Sequence, residues 1–332
     1  MRSFITQILI YNITSCLNGK INMELCIICI RENPITEDNP LTHEHIIPEF
    51  IGGSLVKKNV CKKCNSSMGT GFEGALANSL FYKLPRFIHD IKGKKRSLEN
   101  PFTGVYDHEE IGRFRVNENG DLTVIPDITI EQLDDGFAVN MSIDKSEFEK
   151  AKPLLEKKIS RHLKSQGKEI NKAKISKGVD KFLEKASQKY NKVDSPEIKG
   201  RISIDIDAQI MLYSKIAYEL AVFHFGDSYI ADPVADKLRV MLKTQTPDNT
   251  LRGQFPAEND GYKNFFDSEN HWVMFIKSTC FIQLFGLPAV VMYAEEGSQF
   301  QVEEGVVYKF CYKSQRYEVI PLVEHLSSLT LP

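Results

Sequence analysis

Two Cys-x-x-Cys pairs constrain this chain more than any other feature of its sequence. Four of the seven cysteines form these pairs: Cys26, Cys29, Cys61 and Cys64. Two such pairs are the usual means of holding one structural zinc ion in tetrahedral thiolate coordination. The other three lie singly along the chain: Cys16, Cys280 and Cys311. Because that arrangement does not suit a disulfide framework, we expect a zinc-stabilised module in a reducing, cytoplasmic environment.

A cluster of histidine and glutamate lies between the two pairs, and an asparagine follows the last cysteine. Hydrolysis of a phosphodiester needs a base that activates water and a cation that binds the phosphate and the leaving oxygen. His45 is the candidate base, because a neutral imidazole accepts a proton near pH 7. Glu44 and Asn65 offer the oxygen ligands that Mg²⁺ and Mn²⁺ prefer. The pattern therefore predicts a hydrolytic site beside a structural zinc.

The same segment resembles the HNH endonucleases, which have a ββα-metal (His-Me finger) fold. The resemblance rests on residues 44–48 (Glu-His-Ile-Ile-Pro), 52–53 (Gly-Gly) and 61–65 (Cys-x-x-Cys-Asn), and the upstream Cys-x-x-Cys is typical of a zinc-knuckle subgroup. It implies that His45 is the general base, that Glu44 and Asn65 hold the catalytic ion, and that the products carry 5′-phosphate and 3′-hydroxyl ends. Two departures stand out: glutamate replaces the commoner aspartate before the histidine, and the family's middle asparagine has no clean match.

The resemblance and the residue pattern together predict the local fold of the module. Residues 46–48 should close a first strand, a Gly-Gly turn should follow, and residues 55–60 should form the return strand. A helix should then begin at Asn65 or Ser66, where serine hydroxyls can cap exposed amides. In such a helix Glu73 would share a face with Asn65 and approach the metal, although a solvated carboxylate is the plainer interpretation.

Several side chains around the motif are candidates for contact with the substrate. His43 shares a strand face with His45 in an alternating strand, so it lines the same cleft or is itself the reactive histidine. The lysines of the motif are the best candidates for phosphate contacts: Lys57, Lys58, Lys62 and Lys63.

The length of 332 residues favours more than one domain. We expect an α+β fold with an N-terminal extension in residues 1–23, a zinc-stabilised ββα nuclease module in 24–100, and a larger mixed α+β domain in 101–332. That larger domain should contain a hairpin turning at Asn119-Gly120, a buried helix in 207–225 and five strands between 272 and 320. Its function is expected to be substrate binding or self-association, because residues 145–199 contain sixteen Lys or Arg against eight Asp or Glu.

Composition excludes some classes of protein and leaves others open. The net charge of −2 gives no global nucleic-acid signature, and no apolar run suits a transmembrane helix. The expected substrate is DNA, duplex in preference to a single strand, with a homodimer as one way to cut both strands. Two alternatives stay open: a zinc-dependent nucleic-acid-binding module without catalysis, and an HNH nuclease that acts on RNA.

Overall fold

The structure is a computed structural model that describes residues 25–93, 98–133, 136–185, 203–248 and 266–329. The expected N-terminal extension lies outside these residues. The chain forms two compact units: residues 1–77 together with 205–332, and residues 78–204. These units do not coincide with the boundary expected near residue 100, because the C-terminal part of the chain packs with the cysteine-containing segment.

The first unit begins with two antiparallel strands and a helix. β1 (Leu41–His45) pairs with β2 (Val56–Cys61), and α1 (Lys62–Thr70) follows directly. The ββα order is as expected, but the helix begins at Lys62 rather than at Asn65 or Ser66. The reason is an earlier cap: the Lys63 amide donates to Asn39 Oδ1 at 2.9 Å, and the Lys62 amide donates to the Pro40 carbonyl.

Helix α1 also ends sooner than the sequence predicts. It stops at Thr70, Gly71 follows as its C-terminal cap, and Glu73 lies in the next helix, α2 (Phe72–Asn78). A Cβ atom on Gly71 would meet Gln245 Oε1 at 1.6 Å, so a larger residue here would displace the Gln245 side chain. The expectation that Asn65 and Glu73 share one face of a single helix is therefore wrong.

The second unit, residues 78–204, carries mostly hairpins and helices. Its strands form a three-stranded sheet, β3-β4-β5, and a two-stranded sheet, β6-β7. The expected Asn119-Gly120 turn joins β4 to β5, with Gly120 at a φ of 87°. The elements in chain order are α3 (Leu80–Ile88), β3 (Gly104–His108), β4 (Gly112–Val116), β5 (Leu122–Val124), β6 (Asp127–Leu133), β7 (Gly136–Ser142), α4 (Ala151–Ser165) and α5 (Lys172–Lys185).

The first unit continues with two helices, a five-stranded antiparallel sheet of order β10-β9-β8-β11-β12 and a final short helix. Helix α6 is buried along most of its length, as its apolar sequence predicts. The strands also fall where alternation predicts them, which confirms the α+β class. No helix in the described ranges has the length and apolar character to cross a membrane. The elements are α6 (Ile206–Phe225), α7 (Pro233–Thr244), β8 (His271–Lys277), β9 (Thr279–Leu284), β10 (Leu287–Met292), β11 (Val302–Cys311), β12 (Arg316–Pro321) and α8 (Leu322–Ser328).

Side chains from this C-terminal part hold the backbone of the cysteine-containing segment. The Tyr218 hydroxyl of α6 donates to the Ile27 carbonyl at 2.6 Å. Arg239 of α7 donates to the Ile28 carbonyl at 3.2 Å. His271 Nε2, on β8, lies 2.8 Å from the Ile51 carbonyl. The ββα segment therefore shares one packed unit with residues 205–332.

Candidate functional site

The four paired cysteines converge in the structure. Their Sγ atoms lie within 4.8 Å of one another, and all four residues are buried. Within the described ranges, this is the one group of three or more His, Cys, Asp or Glu residues whose ligand atoms lie so close together. Four cysteine sulfurs at this spacing, contributed by two Cys-x-x-Cys pairs, fit a structural zinc ion.

Without a metal ion the surroundings favour one thiolate, at Cys26: burial raises the pKa of Cys29, and the hydrogen bond with Cys26 raises the pKa of Cys64. The hydrogen bond with the Cys64 thiol lowers the pKa of Cys26 to about 5, against the opposing effect of burial. The backbone amide of Cys61 donates to Cys26 Sγ at 3.3 Å. Asn33 Nδ2 lies 3.9 Å from Cys64 Sγ. Such polar partners around the sulfurs are what a zinc-thiolate centre requires of its neighbours.

His45 is the last residue of β1, and its imidazole is held by the turn that follows. His45 Nδ1 lies 3.0 Å from the Gly53 carbonyl oxygen, which can only accept a hydrogen bond, so Nδ1 is the donor. In the neutral ring the lone pair is then on Nε2, which lies 3.8 Å from Glu49 Oε2. The side chain is 27% exposed. This geometry presents a partly accessible nitrogen that can accept a proton.

The Gly-Gly turn is necessary for that contact. Gly52 adopts a φ of 86°, in the left-handed region that favours glycine. A Cβ atom on Gly53 would lie 1.6 Å from the Ile47 carbonyl oxygen. The second glycine therefore lets the backbone close tightly enough for its own carbonyl to meet the His45 ring.

Asn65 lies in the first turns of α1, and two hydrogen bonds donated by its side-chain nitrogen orient the amide group. Asn65 Nδ2 donates to Thr42 Oγ1 at 2.9 Å and to the His43 carbonyl at 3.2 Å. The pairing of β1 with β2 is irregular between Thr42 and Glu44. The helix places the Asn65 amide against β1, beside Thr42 and His43. A carboxylate and an amide oxygen are donors that suit a hard divalent cation.

Glu44 is buried, and its main partner comes from a distant part of the sequence. Lys215 of α6 is fully buried, and its Nζ lies 2.6 Å from Glu44 Oε1. The same ammonium donates to the His45 carbonyl at 2.6 Å. Nζ also lies 3.1 Å from Glu73 Oε1 and 3.5 Å from Glu219 Oε2. Three carboxyl groups thus surround one ammonium, and we call these four residues the Lys215 cluster.

The charge state of the Lys215 cluster follows from burial and mutual contact. Burial alone would lower the pKa of Lys215, but the charges of Glu219, Glu73 and Glu44 outweigh it and leave that pKa raised. Burial raises the pKa of Glu44, and the charge of Lys215 offsets only part of that increase. Among the described side chains, Glu73 Oε1 and Glu219 Oε1 are buried without a hydrogen-bond partner, so the 3.1 Å approach of Glu73 to Lys215 is an ionic contact without hydrogen-bond geometry.

The predicted substrate-contacting side chains mostly face solvent. His43 is exposed on β1, as are all four lysines of the motif: Lys57, Lys58, Lys62 and Lys63. Two of the four have partners within the first unit. Lys57 Nζ lies 4.5 Å above the centre of the Phe223 ring, and Lys63 Nζ donates to Asn33 Oδ1 at 3.1 Å. Lys58 and Lys62 present their charge at the surface.

The sequence interpretation missed Lys215 and Glu219 and expected Glu73 to be solvated. One signal was available: Lys215 and Glu219 are charged residues four positions apart within the strongly apolar segment 207–225. Charged residues are rarely fully buried unless they are paired. Their spacing indicates a buried ion pair, although nothing in the local sequence indicates that Glu44 and Glu73 join it.

Comparison with known proteins supports the nuclease interpretation of this segment. The family model described as HNH endonuclease matches residues 26–81, which confirms the resemblance seen in the sequence. That range contains both cysteine pairs, β1, β2, α1 and α2. No curated protein and no solved structure matches the chain.

Proposed function

We propose that this protein is a metal-dependent endonuclease that hydrolyses DNA phosphodiester bonds, with His45 as its general base. The observation that carries the proposal is the hydrogen bond between His45 Nδ1 and the Gly53 carbonyl. It fixes the ring and leaves Nε2 as the acceptor, within a segment that matches the HNH endonuclease family.

In the proposed reaction, His45 Nε2 accepts a proton from a water molecule, which then attacks phosphorus in line. Glu44 and Asn65 would hold Mg²⁺ or Mn²⁺. Such an ion, when bound, stabilises the charge that develops on the phosphate and on the departing 3′ oxygen. The exposed lysines of the motif bind the backbone phosphates on either side of the scissile bond, and His43 lines the same cleft. The zinc in this scheme is structural and takes no part in the chemistry.

We propose duplex DNA as the substrate in preference to a single strand, and a cytoplasmic location. One site of this kind cuts one strand, so a double-strand break requires two encounters or a homodimer. In this scheme the site contacts phosphates and not bases. Because DNA and RNA share the phosphate backbone, the type of nucleic acid that is cleaved is the first property to measure.

The test is cleavage of supercoiled plasmid, linear duplex, single-stranded DNA and RNA in the presence of Mg²⁺ or Mn²⁺. We expect nicking of plasmid by the wild-type protein and a loss of about 10²–10⁴ in rate for His45→Ala, the usual effect of removing a general base. His43→Ala is the matched control, because it removes an exposed imidazole from the same strand. Zinc content should be nearly unchanged in both variants, and DNA binding should be nearly unchanged in His45→Ala.

Each alternative has its own outcome in this assay. DNA binding that depends on zinc, without cleavage of any substrate, would favour a binding module. Cleavage of RNA alone would reassign the substrate. Near-normal turnover of His45→Ala with loss of activity in His43→Ala would transfer the role of base to His43.

A further inference from the structure

One ammonium group contacts both of the neighbouring residues on which the proposed chemistry depends. Lys215 Nζ lies 2.6 Å from the Glu44 carboxylate and 2.6 Å from the carbonyl oxygen of His45. It comes from the middle of α6, a long helix that is buried along most of its length. Because burial already immobilises the Lys215 side chain, holding these partners costs less conformational entropy than it would for a lysine on the protein surface.

The two contacts have different consequences. The bond to the His45 carbonyl sets the main chain at the end of β1, from which the imidazole ring projects. The bond to Glu44 Oε1 fixes the orientation of the carboxylate that we propose as a metal ligand. Groups that orient a metal ligand in this way typically change metal affinity or activity by about 10–100-fold when they are removed.

We propose that Lys215 is a positioning residue of the nuclease site and that α6 completes this site from outside the ββα segment. This inference rests on the proposed nuclease function. Lys215 itself touches neither substrate nor metal; it fixes the Glu44 carboxylate and the His45 main chain. Residues 26–81 without α6 therefore lack a part of the working site.

The experiment uses the full chain and two variants of Lys215. Lys215→Met replaces the ammonium with an apolar side chain of similar length. That change alone leaves two buried carboxyl groups, Glu44 and Glu219, and the half-buried Glu73 without their cation, which endangers folding. The double variant Lys215→Met with Glu219→Gln removes the ammonium together with one of its three carboxyl partners, so two carboxyl groups instead of three lose their cation. This double variant decides the question if the single variant does not fold.

Five quantities are measured for each variant: bound Mn²⁺ by electron paramagnetic resonance, kcat on plasmid DNA, DNA affinity, zinc content and thermal stability. We expect the half-saturating Mn²⁺ concentration to rise by about 10–100-fold and kcat to fall by a similar factor. DNA affinity and zinc content should not change. A merely structural lysine would change stability but not the Mn²⁺ titration of the folded protein.

The matched control is Tyr213→Phe, which removes a buried hydroxyl from the same helix. Tyr213 donates to the Leu287 carbonyl at 3.0 Å, away from the motif, so its loss should leave the Mn²⁺ titration and kcat as in the wild type. An unchanged Mn²⁺ titration and rate in the folded double variant, with an active wild type, overturns this inference alone. Absence of His45-dependent cleavage by the wild type overturns the proposed function and this inference with it.

Discussion

Two buried clusters lie in the same compact unit and differ in how the chain assembles them. The cysteine cluster comes from two short segments that are 32 residues apart at Cys29 and Cys61. The Lys215 cluster joins β1, α2 and α6, and its bond to His45 spans 170 residues of sequence. Motif spacing therefore identifies the first cluster, whereas only the tertiary fold reveals the second.

The two clusters also differ in their source of positive charge. Thiolates packed within 4.8 Å of one another need a cation from solution, and four sulfurs at that spacing suit zinc. The carboxyl groups of Glu44, Glu73 and Glu219 surround an ammonium that the chain itself supplies. Chelation of zinc should therefore disrupt the first cluster, whereas the ion pairs between Lys215 and its carboxyl partners need no added cation.

The largest effect is expected at the cysteine cluster. Cys61→Ser should remove the zinc and with it a sizeable part of the free energy of unfolding, because structural zinc sites in small modules contribute about 10–16 kcal/mol of binding energy. The measurements are zinc content per chain and thermal unfolding. Cys311→Ser is the matched control, since Cys311 lies on β11 outside the cluster.

The assignment of a structural zinc site would be contradicted if the wild-type protein contained no zinc, or if Cys61→Ser and Cys311→Ser unfolded at the same temperature. In either case the convergence of the sulfurs would reflect packing alone, and the contrast with the Lys215 cluster would disappear.

Much of the fold follows from local pattern, and the reason is visible in particular elements. The Asn119-Gly120 turn and the apolar segment 207–225 became the hairpin and buried helix that they predict. Helix α1 begins three residues before the predicted Asn65, because its cap comes from Asn39, which precedes β1 and lies 24 residues from Lys63 in the sequence. The break after α1 was missed; at this end of the helix the Gln245 amide, from a distant segment, donates to the Ser67 carbonyl at 2.8 Å. Errors thus arise where a remote residue decides local structure.

The candidate site divides in the same way. The geometry of His45 with the Gly-Gly turn agrees with the motif, since all of its parts lie within nine residues. Nothing in the sequence near Lys215 predicts its contact with Glu44, because the two residues meet only when α6 packs against β1. The roles assigned to Glu44 and Asn65 remain predictions, which substitutions at these two positions can test directly.

A smaller effect is expected when the proposed metal ligand is changed without loss of bulk. Glu44→Gln keeps an oxygen that can accept from Lys215 but removes the charge that a divalent ion needs. We expect a rise in the Mg²⁺ concentration needed for half-maximal cleavage. Loss of a residue that only orients a metal ligand typically costs roughly 10–100-fold, and loss of the ligand itself should cost more. Chelation at a level that spares the zinc should stop cleavage, and added Mg²⁺ or Mn²⁺ should restore it.

Glu73→Gln is the matched control for this prediction, because Glu73 also contacts Lys215. If both variants change the Mg²⁺ requirement equally, then Glu44 is only a counter-ion of Lys215 and not a ligand. If neither changes it, the metal-binding role of Glu44 is wrong. Asn65→Ala should raise the Mg²⁺ requirement in the same direction as Glu44→Gln.

The smallest effect on catalytic rate is expected from exposed cations, the opposite case to the buried Lys215. Helix α4 carries four of them: Lys157, Lys158, Arg161 and Lys164. Changing all four to glutamine should weaken DNA binding. Because each neutralised phosphate releases counterions, the slope of log affinity against log salt should fall by about 0.9 for each phosphate contact that is lost. The rate at saturating DNA should stay as in the wild type.

The matched control changes four exposed cations of the other unit: Lys237, Lys277, Lys313 and Arg316. An equal change of slope in both sets would assign the effect to net charge, and no change in the α4 set would make that helix a solvated face.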